Sequence, residues 1–577
     1  MHRFFLSLTC LGILSAQPQL RIELGFHNGS IKSLSTDSAE RFLVTASYDK
    51  TIRLWDIETG RQLNVLRPPI GGVDQGKMFA AAITPDGAMI AAGGRTGPKT
   101  HSIYIFHRAS GRMLHRIPGL AGVTLHLAYS PDGLYLAASL GDGGVRLYRA
   151  SNYKLTGQDK SYPGRTQWSA FSPAFAKDRL LATAAADGYV RLYRVQSNGR
   201  LRLLLRRKAE RKDPPVNLAF SPDAEELAVS FDFDSYPVVE IWNARTLALL
   251  HRIADSGIGG TASRIAWSAD GEFLYCAGTL GYAGSAIVRW GKRGRGQAEA
   301  RETGDQATES SIAAILPLRE GSLLFASGRP ALGMLDANWK QVRLMTAPVP
   351  GYLGLSLNKK FLLSDDGLSL RFGYEQQARQ PAWFSVVERR LTAGETAPGL
   401  SGKPPDGDSI EVIGAGTTYV LLNRRRLKLR DGEVGIAVAD VPGGRQFLLA
   451  SQWRLVLFDA EGNPRWEVPV PAIPEAVNVS GDGRLAVTAY NDGVIRWYGV
   501  NDGKELLAFF PHTDRKRWVL WTPDGYYDCS PGGEDLFSFH TNRGDSAAAD
   551  FQPAAKLRST YYRPDIVSRA LPSEPVE

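Results

Sequence analysis

The 577-residue sequence contains only three cysteines, Cys10, Cys276 and Cys529. No two stand in a CxxC pair, which removes thiolate zinc knuckles and dithiol redox motifs. The nine histidines are scattered, and no HExxH pattern of a zinc hydrolase occurs. Two glycine-rich stretches, 94–97 and 141–144, lack the Lys-Ser/Thr that completes a phosphate-binding loop. Asp232-Phe233-Asp234 and Asp365-Asp366-Gly367 lack the spaced oxygen ligands of a calcium loop and read as ordinary turns. Beyond the first residues no window is apolar enough to span a bilayer as a helix. Basic residues outnumber acidic ones 68 to 59, a net charge of +9 that over this length mostly marks solvated surface. The denser basic runs are Arg206-Arg207-Lys208 with Arg211-Lys212, Lys292-Arg293-Gly294-Arg295, and Arg424-Arg425-Arg426 with Lys428 and Arg430. None interleaves stacking aromatics with the charges, so nucleic acid is not expected as a partner. No catalytic residue, cofactor or metal is expected.

What is present is punctuation. The first residues join a basic start (Met1-His2-Arg3), an apolar stretch from Phe4 to Leu14 and a small residue, Ala16, before Gln17. That is the layout of an export signal, with the mature chain expected to begin at Gln17 in a periplasmic or extracellular setting. From His27 a unit begins that returns every 40 to 50 residues, the period of four-stranded propeller blades. Its first turn recurs as Thr84-Pro85-Asp86-Gly87, Ser130-Pro131-Asp132-Gly133, Ser172-Pro173, Ser221-Pro222-Asp223, Ser268-Ala269-Asp270-Gly271, Ser480-Gly481-Asp482-Gly483 and Thr522-Pro523-Asp524-Gly525. Pro presets φ, Asp bonds its own backbone and Gly takes positive φ. Third strands are expected to end in an aromatic: Trp55, Phe106, Tyr148, Tyr193, Trp242, Trp290, Phe372, Phe458 and Trp497-Tyr498.

The fold class expected is therefore all-β, with tandem propellers, the first of about seven blades and the second of five to seven. The divisions read as 1–16 signal, 17–338 first propeller, 339–545 second propeller and 546–577 tail, packed on the propeller and disordered at its end. Leu20 to Leu24 is expected to supply the outer strand of the seventh blade and close the first ring. Val342 to Met345 is expected to do the same for a last blade built from Trp518–Trp521, 525–529 and 536–539. The stretch 383–430 is irregular, with a Gly/Pro/Asp-rich loop from 393 to 408.

In the first unit His27, Ser47, Asp49 and Trp55 form an expected structural network. Asp49 accepts from His27, His27 meets Ser47, and the Ser47 hydroxyl reaches the Trp55 indole. The His/Ser/Asp set has the composition of a hydrolase triad, but no nucleophile elbow surrounds Ser47. Other units keep only an Asp-Gly turn, at Asp142, Asp187 and Asp492, with a tyrosine where the first has Trp55. Their cohesion is expected to rest on packing. Cys276 and Cys529 read as separate thiols, and no spacing demands that they pair.

These repeats resemble the WD40 β-propeller family over nearly the whole chain. The segment 504–571, with ELLAFFPHTDRKRWVLWTPDGYYDCSPGGEDLFSFHTNRG and YYRPDIVSRAL, is similar to the end of the WD40 region in bacterial proteins that often continue into a caspase-like peptidase. Residues 20–56, Leu66 to Gly71, SIYIFHRASGRMLHRIPGL and GDGRLAVTAYNDGVIRW fit the same group. The sequence ends at Glu577, where that peptidase would begin, so the resemblance implies a platform without its enzymatic half. The expected function is non-enzymatic protein–protein scaffolding through strand-end loops. Alternatives are the recognition half of a split caspase-like protease system, and a binder of anionic envelope polymers.

Overall fold

A computed structural model describes residues 17–572 except 172–174, 211–212, 232–237, 254–258, 281–285, 304–310, 356–359, 395–411, 414–419, 423–424, 431–432 and 444. The expected signal segment 1–16, Ser172-Pro173, Asp232-Phe233-Asp234, most of the 393–408 loop and the extreme C-terminus lie outside the described residues.

The chain is all-β, built mainly from four-stranded antiparallel sheets. Seven of them follow one another at 31–66, 77–120, 124–159, 166–208, 215–252, 260–302 and 312–346. The first strand of each packs on the first strand of the next, from Ile31–Thr36 to Lys77–Ile83 and onward. The last of them, Ile312–Pro317, packs back against Ile31–Thr36. Apolar side chains fill the space between neighbours. Val44, Ile52 and Leu54 of the first sheet meet Ile83, Ile90 and Phe106 of the second. Leu43 and Trp55 of the first meet Leu324 and Leu332 of the seventh.

The Ser/Thr-x-Asp turns hold these sheets in register. Asp86 Oδ1 accepts the Thr84 hydroxyl (2.6 Å) and the Ala88 amide (2.9 Å) while Gly87 sits at φ 74°. Ser130–Asp132, Ser221–Asp223, Ser268–Asp270, Ser364–Asp366 and Ser480–Asp482 repeat the hydroxyl contact at 2.5–2.6 Å. Asp365-Asp366-Gly367 is thus a strand-connecting turn.

The second half departs from the expected scheme. Its sheets lie at 362–393, 412–426, 435–469 and 474–529, the third-named four-stranded and the last six-stranded. Phe372 lies in the second strand of its sheet, Ser369–Glu375, which Arg379–Ser385 and Arg390–Ala393 complete, the last of these inside the stretch 383–430 expected to be irregular. Trp518–Trp521 does not begin a new sheet. It pairs with Glu505–Pro511 across a tight turn in which Asp514 Oδ1 accepts the amides of Lys516 and Arg517, both at 2.9 Å.

Both proposed ring closures are overturned. Gln341–Thr346, which contains Val342 to Met345, pairs with Ala331–Leu335 as the outer strand of the seventh sheet. The hairpin turn there is fixed by Asp336, whose Oδ1 accepts the Lys340 amide at 2.8 Å, and a local hairpin costs far less loop entropy than a closure across the chain. The 338/339 boundary therefore falls inside a hairpin. Gln19–Ile22 instead pairs with Phe537–Thr541, which also pairs with Asp550–Pro553 from the expected tail. Leu20 is buried there with Val494, Phe510, Trp521, Phe537 and Phe539.

Candidate functional site

The first sheet's polar network runs through a residue that the sequence pattern did not single out. His27 Nδ1 donates to Asp49 Oδ2 at 2.7 Å, and His27 Nε2 accepts from Thr45 Oγ1 at 2.7 Å. The Trp55 indole donates to the same Thr45 oxygen at 2.9 Å. Ser47 turns elsewhere: its hydroxyl donates to the Gly29 carbonyl at 2.7 Å and accepts the Asp49 amide at 3.1 Å. The reason is register. Leu43 lies opposite Trp55 and Thr45 opposite Arg53, so Thr45 is the diagonal neighbour of Trp55. Ser47 is two residues farther along, roughly 13 Å from the Trp55 position. Burial holds the His27 imidazole neutral against the pull of Asp49, and the Asp49 carboxyl titrates below the usual range because His27 and Arg53 oppose its burial. The Ser47 hydroxyl is bound to a carbonyl, and the half-buried Thr51 hydroxyl donates to Asp49 Oδ1 at 2.7 Å, so the hydroxyls of this set are taken up in bracing contacts.

The Asp-Gly turns differ from one another. Asp142 is exposed at its turn. Asp187 holds the buried Arg191 through both carboxylate oxygens. The fourth sheet therefore does not rest on packing alone. Tyr162, from the loop before it, bonds Thr183 (2.8 Å) and Tyr193 (2.7 Å), and Tyr193 donates to Asp159 at 2.8 Å. Asp492 accepts the Val494 amide at 3.0 Å, and burial raises its carboxyl pKa despite Arg496 and Arg21.

The strands at the centre of the seven-sheet cycle bring together a second group. His126 stacks on Trp168 with ring centroids 3.6 Å apart, Arg264 lies over Trp168, and Lys32 lies over Tyr48, which meets Phe79. Burial and Arg264 lower the Lys32 ammonium to about 8 and His126 to about 3. Lys32, Phe79, His126, Trp168 and Arg264 lie on five of the seven inner strands, where alternation alone looks like ordinary sheet.

The two halves meet over the first, second and seventh sheets. Lys77 Nζ donates to the Val470 carbonyl (2.9 Å), Asn542 exchanges two hydrogen bonds with Ile70 (2.6 and 3.0 Å), and Arg329 pairs with Glu475. Two clefts of about 430 Å³ open along this seam. One is lined by Arg329, Val349, Tyr374, Arg379 and Thr513. The other is walled by Arg21, Lys50, Asp492, Arg496 and Trp521, contributed by four separate stretches of chain. Arg21 donates to the Asp49 carbonyl at 3.0 Å and Arg496 to Glu505 at 2.6 Å. Among the described residues no cluster of His, Cys, Asp and Glu is arranged for a metal. No described helix is long and apolar enough to cross a membrane. Cys276 and Cys529 are both free thiols; burial pushes the first well up and the second to about 12.

Residues 18–56 match the profile of the WD domain, G-beta repeat. The chain is 25% identical over 163 residues to the small ribosomal subunit protein RACK1y of Oryza sativa subsp. japonica, covering 27% of this chain and 45% of that protein. It is 26% identical over 142 residues to a WD repeat-containing protein 26 homolog of Arabidopsis thaliana (22% and 21%). It is 27% identical over 169 residues to an uncharacterized WD repeat-containing protein of Synechocystis sp. (29% and 44%). The chain spans less than half the length of these curated relatives.

Proposed function

We propose that the protein is an exported, non-enzymatic WD40-type scaffold, in which the seven-sheet cycle is a closed propeller that binds another protein. WD40-repeat proteins generally act as protein-interaction scaffolds, and residues 18–56 carry such a repeat. The observation that carries the reading is the cyclic packing of seven inner strands, which carry Lys32, His126, Trp168 and Arg264. Rigid strands hold these groups, and strand-end loops surround them. The test is capture with a chain starting at Gln17, followed by reciprocal capture and a binding isotherm with the purified partner. Lys32→Ala with Arg264→Ala should weaken that isotherm, and the lack of any saturable protein binding overturns the reading. Export is tested by the N-terminal mass of the mature protein, expected at Gln17.

We propose a narrower version alongside it, resting on the resemblance drawn from the sequence. The likeness of segment 504–571 to bacterial proteins bearing a caspase-like peptidase supports a peptidase, or its substrate, as the partner. A purified peptidase whose activity is unchanged by the scaffold and that does not bind it removes this version.

A further inference from the structure

The turn after strand Phe42–Ser47 puts Lys50 at φ 74°, a left-handed conformation that a non-glycine residue adopts only when its surroundings hold it there. The side chain is only 5% exposed, yet it lines the seam cleft shared with Arg21 and Arg496, so the cleft is its route to small molecules. Its Nζ donates to the carbonyls of Gly71 (3.3 Å) and Gly72 (2.9 Å). Among the described residues no carboxylate forms an ion pair with it. Asp74, whose charge acts on it, is paired with Lys77 at 2.7 Å. Burial, with Arg21, Lys77 and Arg496 close by, holds the amine well below its ordinary pKa. A neutral amine has two N–H bonds and one lone pair. Two carbonyls take both hydrogens, and the lone pair takes the direction left over. This is the setting in which a lysine becomes a nucleophile: desolvated and beside other cations.

A second observation concerns what would sit beside it. Arg496 lines the same cleft; its Nη1 donates to Glu505, but its buried Nε–H has no hydrogen-bond acceptor. An orphaned guanidinium N–H is costly unless an oxygen completes it, and a carboxylate is its natural complement. Lys50 and Arg496 come from opposite halves of the chain, so the site exists only where the halves meet.

We propose that this cleft binds a small carbonyl compound bearing a carboxylate, of the 2-oxo acid class, and that Lys50 condenses with its carbonyl carbon. The Lys50 nitrogen pair forms the C–N bond while the C=O π pair moves to oxygen, which takes up a proton as nitrogen loses one. The carbinolamine hydroxyl then takes up a proton and leaves as water, the nitrogen pair closes the C=N bond, and nitrogen gives up its second proton. No oxidant or reductant takes part. The condensation goes beyond scaffolding and stands or falls separately from it.

The test treats the full chain from Gln17 with pyruvate and sodium cyanoborohydride at pH 7, then maps modified lysines by peptide mass spectrometry. Lys50 should be alkylated about tenfold or more faster than the exposed lysines, which are almost wholly protonated at that pH. That lead should shrink at pH 10, where a sizeable share of the exposed amines is neutral as well. Acetone, which offers the carbonyl without the carboxylate, should label Lys50 with less preference than pyruvate. Arg496→Gln should remove the preference for pyruvate while leaving labelling of exposed lysines unchanged. If Lys50 is labelled no faster than exposed lysines at pH 7, or if pyruvate and acetone label it equally, the proposal is wrong. Because the wild-type comparison alone decides, misfolding of the Arg496 variant does not rescue it.

Discussion

The Trp55 indole and the Thr45 hydroxyl meet at 2.9 Å inside the first sheet, and the same hydroxyl satisfies His27 Nε2. One small oxygen thus serves two buried rings. Thr45→Val keeps the shape and strands both partners. Each unsatisfied buried group costs about 1–3 kcal/mol, so a loss of roughly 2–5 kcal/mol is expected. Urea unfolding followed by tryptophan fluorescence measures the loss. A loss well under about 1 kcal/mol would show that Thr45 is not the hub.

His126 and His540 are held near 3 by burial, helped by Arg264 and Arg21 respectively. Both folded-state values lie below the unfolded value of about 6.5, so between the two the unfolded chain binds more protons. Stability from these groups is whole above about pH 6.5 and drains away as pH falls toward 3. His126→Phe preserves the ring stacked on Trp168 and should flatten the slope between pH 6 and 4 by about 1.4 kcal/mol per pH unit. An unchanged slope would mean that His126 titrates normally.

Arg454 reaches Glu433 through two hydrogen bonds of 2.8 Å, and both side chains are buried. Arg454→Met leaves a buried carboxylate behind and should cost about 3–5 kcal/mol. Adding Glu433→Leu should recover much of that loss, because the desolvation cost goes with the second charge. Additive losses in this double-mutant cycle would contradict a coupled pair.

Leu20 anchors the N-terminal strand under Phe537, Phe539 and Trp521. Leu20→Asp should raise amide exchange at Phe537–Thr541 and Asp550–Pro553, the strands it is sheeted with, and leave Lys77–Leu120 protected. Faster exchange in the seven-sheet cycle instead would place the strand where the sequence pattern first suggested.

The recurring turns and alternating strands made the seven sheets legible, because a Ser-x-Asp turn and a two-residue period are local signals. Strand partnership was not. Leu20 and Ile22 look like any outer-strand residues, and only the apolar surface they cover decides which sheet takes them. Tyr162 escaped notice because it sits in a loop, where no periodicity flags it. The Lys50 cleft was invisible for another reason: Lys50, Asp492 and Arg496 become neighbours only through packing between distant sheets.

The pairing of Gln19–Ile22 with Phe537–Thr541 also dictates an order of events on the ribosome. The seven-sheet cycle, 31–346, has all its strands in hand long before synthesis reaches Phe537. The N-terminal strand is made first and matched last. At about 5–20 residues per second it waits roughly half a minute to two minutes with an open edge. An unpaired apolar edge is an aggregation template, so the nascent chain needs a chaperone hold on its beginning more than on its middle.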